Sequence, residues 1–236
     1  MELPASRSEQ RSASQAFVFQ RLLLAACIIL APLSITIYIL AWPENPASVL
    51  NDPIAAPIKT SMMAGSTGNM LHFIGAIAAS FFLPVGYLAM SLLGMRRAPW
   101  LGTISAALSL LGWIPWAALI SIDDLAYDIA LRGDTTQFSA LWTHFNNDPV
   151  MVTYLLIYIP CHLLSAILIG IMLGRQRIIP VWAAWAFALT SPLTIPYFIV
   201  HIATFRYILR TVICALWIIG AAPAALAMLK HKHDQL

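Results

Sequence analysis

The chain has 236 residues, of which 60% are hydrophobic and 10% charged, and a formal net charge of +3. A soluble domain carries about 25% charged residues, so this composition excludes one and points to a bundle of membrane helices. The three cysteines, Cys27, Cys161 and Cys214, all lie in apolar runs, which excludes a disulfide framework.

Residues 1–21 are polar and Ser-rich and read as a disordered cytoplasmic tail. The first span covers about 22–42, long enough for about 30 Å of hydrocarbon. It exceeds the about 7–15 apolar residues of a signal peptide, and it ends in Leu40-Ala41-Trp42-Pro43. Residues 43–69 hold Pro43, Pro46, Pro53 and Pro57, which predicts a long connection with no regular helix. The second span, about 70–93, ends at the basic turn Gly94-Met95-Arg96-Arg97-Ala98-Pro99. The third covers about 101–122 and closes on Asp123 and Asp124, with its helix continuing toward Leu131.

In 134–147, Asp134 or Thr135 caps a short helix. Its Phe138, Leu141, Trp142 and Phe145 form one apolar stripe, suited to the membrane surface or the helix ends. Asp148-Pro149 is a helix start signal for the fourth span, about 150–173, which carries Pro160 and His162. A second basic turn, with Arg175 and Arg177, leads to a fifth span at about 180–202. The sixth covers about 208–229 and precedes a short tail, 230–236.

The expected fold is an all-α membrane protein with six transmembrane helices. Basic residues concentrate in the tails and the two short turns. The acids Glu44, Asp52, Asp123, Asp124, Asp128, Asp134 and Asp148 fall in the intervening segments. The positive-inside rule then places both termini in the cytoplasm of a multi-pass plasma (inner) membrane protein. Arg206 and Arg210 break that bias, and an acid among Asp123, Asp124 and Asp128 is their expected partner.

Prolines lie in or at the edge of every span: Pro32, Pro84, Pro115, Pro160, Pro192 with Pro196, and Pro223. Each frees a carbonyl that can line a cavity or a hinge; membrane helices also tolerate proline without such a role. Pro99 and Pro115 are spaced as Pro180 and Pro196 are, each pair following a basic turn. This raises a parallel repeat of two hairpins, against simple recurrence by chance.

His72, Asp123, Asp124, Asp128, His201, Arg206 and Arg210 share one level, the outer boundary of the hydrocarbon. His162 lies about 18 Å into its span, near the bilayer centre, where an ionisable group should face protein or water. Tyr158, Ser165 and Ile169 share its face, and the bland reading is a neutral imidazole bonded to a proline-freed carbonyl. The first functional reading is an outer vestibule that binds or moves a small solute or lipid. The alternative is a metal-dependent hydrolase at the outer leaflet, since His72, Asp123, Asp124 and His201 have the ligand types for a divalent metal. No two of these histidines share a helix at i, i+3 or i, i+4, so the local metal signal is missing. His72 and His201 also stand at matching depth for a bis-His haem. A charged helix end that only sets topology accounts for the same residues. No cofactor is assigned. The expected partners are the lipid bilayer and a small solute or lipid, with no nucleic acid.

The helix spacing, the short basic turns, and His162 followed by Arg175, Arg177 and Pro180 resemble a group of uncharacterised bacterial six-helix membrane proteins. The resemblance extends over most of the chain. It implies the six-helix fold and carries no activity.

Overall fold

A computed structural model describes residues 7–45, 55–132 and 135–230. Pro46, Asp52, Pro53, Asp134, the side chain of Phe138 and the tail after Lys230 lie outside the described part. Among the described residues there are nine helices and no strand: α1 (Arg7–Ala41), α2 (Ala55–Met95), α3 (Pro99–Leu119), α4 (Ser121–Arg132), α5 (Thr135–Asn146), α6 (Pro149–Arg175), α7 (Val181–Thr190), α8 (Thr194–Ile199) and α9 (Ala203–Lys230). Five stretches are long and apolar enough to cross a membrane: Gln15–Ala41, Ala56–Met95, Pro99–Arg132, Pro149–Arg175 and Ala203–Lys230. Their outer faces expose large apolar side chains such as Ile77, Phe81, Leu111 and Ile114. Such a surface is an aggregation liability in water and suits hydrocarbon, where a helix satisfies its own backbone. The chain is a multi-pass helical membrane protein.

Three elements depart from the sequence expectation. The first helix begins at Arg7, well before residue 22, because no proline or glycine interrupts 7–20. The connection expected over 43–69 is helical from Ala55, since Pro57 sits in the first turn of α2, where no intrahelical N–H is required. That helix kinks at Gly65 (φ 64°), and the Asn69 amide replaces backbone bonding there, donating to the Ser61 and Gly65 carbonyls at 2.8 Å each. Its oxygen accepts from Trp42 Nε1 at 2.9 Å and Ser61 Oγ at 3.0 Å.

The third departure is the fifth expected span, about 180–202, which is broken into α7 and α8 and is not among the five long stretches. Pro192 and Pro196 each lack the N–H that would continue the ladder. The hydroxyls of Thr190 and Thr194 turn back onto the Phe187 and Ser191 carbonyls at 2.7 and 2.6 Å. The helix runs unbroken through Pro115 in α3, so the two halves of the expected repeat are built differently.

Helices α1 and α9 pack antiparallel. Arg21 donates to the Leu229 carbonyl at one end, and Arg210 Nη1 donates to the Trp42 carbonyl (2.8 Å) at the other. Arg97 joins the two basic turns at the first end by donating to the Gln176 carbonyl at 2.9 Å. One end of the bundle is therefore basic, and the opposite end collects Glu44, Asp123, Asp124, Asp128 and Asp148. Between them lies a core of Tyr87, Trp113, Phe187 and Trp217, where Trp217 Nε1 donates to the Tyr87 hydroxyl at 3.0 Å. Helices α3 and α6 approach backbone to backbone: a Cβ on Gly112 would lie 2.7 Å from the His162 nitrogen. Small residues at such crossings are how membrane helices gain packing contact. The short helix read from 134–147 is present as α5, with Trp142 buried against Ile58, Ala126 and Ile129. Asp148 caps α6 by accepting from the Val150 N–H at 2.9 Å.

Candidate functional site

A cavity of about 790 Å³ opens into the acidic half of the bundle, between α1, α2, α3, α4, α6, α8 and α9. That is within the about 300–1,000 Å³ usual for a small-molecule site. Its walls are dominated by apolar and aromatic side chains, among them Trp42, Trp113, Trp116, Tyr158 and Trp217. On α9 it reaches from Arg206 to Trp217, eleven residues or about 16 Å of helix, roughly half of a hydrocarbon core. Beside it, α8 packs on α9 and leaves the outer part of α6 uncovered. Leu155 and Ile159 of α6 and Ile195, Phe198 and Ile199 of α8 line the cavity and are solvent-accessible. The α6–α8 side of the cavity is thus walled by accessible apolar side chains.

The polar pole is built around Glu44, just past the end of α1. Its Oε1 accepts from Arg206 Nε at 2.5 Å, and its Oε2 lies 3.5 Å from Arg210 Nη1 and 3.3 Å from the Tyr197 hydroxyl. Neighbouring Asn45 holds the segment to the start of α2 by donating to Thr60 Oγ1 and, at 3.3 Å, to the Ala56 carbonyl. Arg206 Nη1 donates to the Tyr197 carbonyl at 2.9 Å, and its guanidinium lies 4.1 Å from the centre of the Tyr197 ring. Arg210 also donates to the carbonyls that close α1, while its Nε is buried without a partner. The expected pairing of these arginines with Asp123, Asp124 or Asp128 is therefore replaced: their carboxylate is Glu44.

Asp123 belongs to a second cluster on the same wall. Its Oδ2 accepts from the Tyr38 hydroxyl at 2.8 Å and lies 3.3 Å from His72 Nε2. His72 Nδ1 lies 2.9 Å from the Tyr38 carbonyl, and its ring stacks on Trp42 with centroids 3.8 Å apart. A carbonyl only accepts, so Nδ1 carries a proton. A hydrogen bond between Nε2 and Asp123 then needs one further proton, either on Nε2, which donates to the carboxylate, or on Asp123, which donates to Nε2.

His162 closes the deep end. It is buried, as its face-mates Ser165 and Ile169 are, and its ring stacks on Tyr158 at 4.2 Å. Its Nδ1 donates to the Tyr158 carbonyl at 2.9 Å, one helical turn back, so Nε2 is the acceptor nitrogen. That carbonyl is not the one Pro160 frees, which is Leu156's. The Trp113 ring lies 5.6 Å from the imidazole, and its Nε1 is buried without a partner.

Of the residues singled out from sequence, His72, Asp123, His162, Arg206 and Arg210 line this one cavity. Asp124, Asp128 and His201 are exposed and do not line it. Among the described residues no group of three or more His, Cys, Asp or Glu side chains is placed to hold a metal ion. Both ring nitrogens of His72 are engaged within the protein, and His201 is not part of the cavity wall. No protein-family profile, curated protein or solved structure matches the chain.

Proposed function

We propose that this protein binds, and by that means moves or presents, an amphipathic small molecule taken from the outer leaflet. The observation that carries the reading is the cavity itself: apolar, aromatic walls, a charged pole, and accessible apolar side chains along its α6–α8 side, which we take as a lateral mouth. A water-soluble solute gains little from such walls, whereas an acyl or isoprenoid chain replaces lipid contacts with aromatic ones. The broken α7–α8 segment serves as the sixth crossing and sets the mouth. Irregular backbone at membrane depth is expected only where it is buried or lines a cavity. The basic end faces the cytoplasm by the positive-inside rule, which puts both termini inside and the charged pole toward the outer face of the inner membrane.

Native mass spectrometry of protein purified in a mild detergent tests this. The expected result is a retained lipid-like adduct that is lost when Ile159→Trp fills the shaft. Identical adduct patterns for the wild type and the filled variant would refute it.

A further inference from the structure

The composition of the charged pole says which amphiphile fits. We propose that the cavity selects an anionic headgroup, a carboxylate or a phosphate monoester, which the pole seats beside Glu44. This rests on the amphiphile reading above and adds the charge of the ligand.

Two guanidiniums meet a single carboxylate there, and all three side chains are nearly enclosed, at 12% (Arg206), 8% (Arg210) and 8% (Glu44) exposure. The cluster therefore carries one uncompensated positive charge in apolar surroundings, a condition that costs free energy until an anion arrives. Asp123, the other carboxylate on the wall, is held by the Tyr38 hydroxyl and His72. Arg210 Nε is a buried donor with no acceptor. An oxyanion placed against the cluster would complete the charge balance. Guanidinium groups suit carboxylate and phosphate because their donors form a planar fork. Tyr197, stacked on Arg206 and bonded to Glu44, fixes the plane of that fork. A cationic headgroup would meet two guanidiniums, and a neutral one would leave the surplus charge in place. The tail then runs along Trp113 and Trp217 toward His162.

The test uses the full chain in a nonionic detergent and two probes of equal length, ω-bromododecanoate and ω-bromododecanol. Their bromine quenches tryptophan fluorescence on contact with the deep walls. At about pH 8 the carboxylate is ionised. The acid should half-quench at a concentration about tenfold or more below that of the alcohol, as expected for a charge-assisted seat. Glu44→Gln should tighten the acid by a similar factor and leave the alcohol unchanged. Arg206→Gln should erase the difference between the probes. Equal quenching by acid and alcohol in the wild type would overturn the anionic seat while leaving the cavity reading intact, and this arm needs no variant to fold. Acetate that competes as well as unbrominated dodecanoate would overturn the amphiphile in favour of a free small anion. No quenching by either probe would instead overturn the cavity reading itself.

Discussion

Replacing Gly112 by alanine tests whether α3 and α6 meet backbone to backbone beside His162. The added Cβ would stand 2.7 Å from the His162 nitrogen, 3.0 Å from its Cα and 3.1 Å from the Cys161 carbonyl carbon. Ordinary contact begins near 3.4 Å, so α6 must retreat by about 0.7 Å. The atoms in the way are main chain, and no rotamer change relieves them. Overpacking of this kind costs about 1–3 kcal/mol. Alanine recovers up to about 1 kcal/mol of helix propensity, so with the full recovery the expected net loss is about 0–2 kcal/mol. Gly65→Ala is the control, because nothing lies within 4 Å of its Cβ and only its φ of +64° is unfavourable. Reversible unfolding in mixed micelles with SDS, followed by tryptophan fluorescence, gives the free energies. The retreat of α6 carries Tyr158 and His162 with it, so Gly112→Ala should also weaken amphiphile binding while Gly65→Ala leaves it unchanged. A Gly112→Ala protein as stable as the wild type, with unaltered probe affinity, would refute the close crossing.

Asn69→Ala removes the amide that bonds both carbonyls at the α2 kink and the Trp42 indole; leaving buried groups unpaired costs about 1–3 kcal/mol each. A loss of at least about 2 kcal/mol is expected in the same unfolding assay, and a loss below half of that would show that the kink is held by other contacts. In a background lacking the three cysteines, Asn147→Cys should react with an impermeant maleimide in intact cells, and Gln176→Cys only after lysis. The reverse pattern would invert the membrane orientation. His162→Leu should leave the protein folded, with stability changed by about 1–3 kcal/mol, but should alter amphiphile affinity because the ring lines the deep wall. Unchanged affinity would reduce the histidine to a packing residue.

The membrane class was legible because hydropathy acts over whole spans: about twenty apolar residues bounded by basic turns admit few other readings. Boundaries were less so. Pro57 reads as a breaker in isolation, yet it occupies the one turn of α2 where its missing N–H is harmless. The reverse error occurred at 180–202, where apolar character suggested one continuous span. There two prolines four residues apart and threonines at 190 and 194 offer the backbone an alternative to the ladder. Composition averages over such a window, whereas the outcome depends on which carbonyls each residue can reach.

The site shows the same limit at the level of single side chains. Depth along the chain, reckoned from the fixed rise per residue of a helix, puts His72, Asp123, Arg206 and Arg210 at one level, and all four line one cavity. Their lateral partners depend on helix order, and that is where Asp123 went to His72 and Glu44 took the arginines. A signal for Glu44 was present. It is an acid two residues past the end of an apolar span, at the level of two arginines that break the charge bias. A short tether to that span lets it lie over the helix ends, where an enclosed carboxylate needs cationic partners beside it. Arg206 and Arg210, one turn apart on α9, present those cations on one face toward the end of α1. The antiparallel packing of α1 against α9 is therefore what makes the pole, and the segment beyond the break at Pro192 supplies apolar side chains, Ile195, Phe198 and Ile199, to the cavity wall.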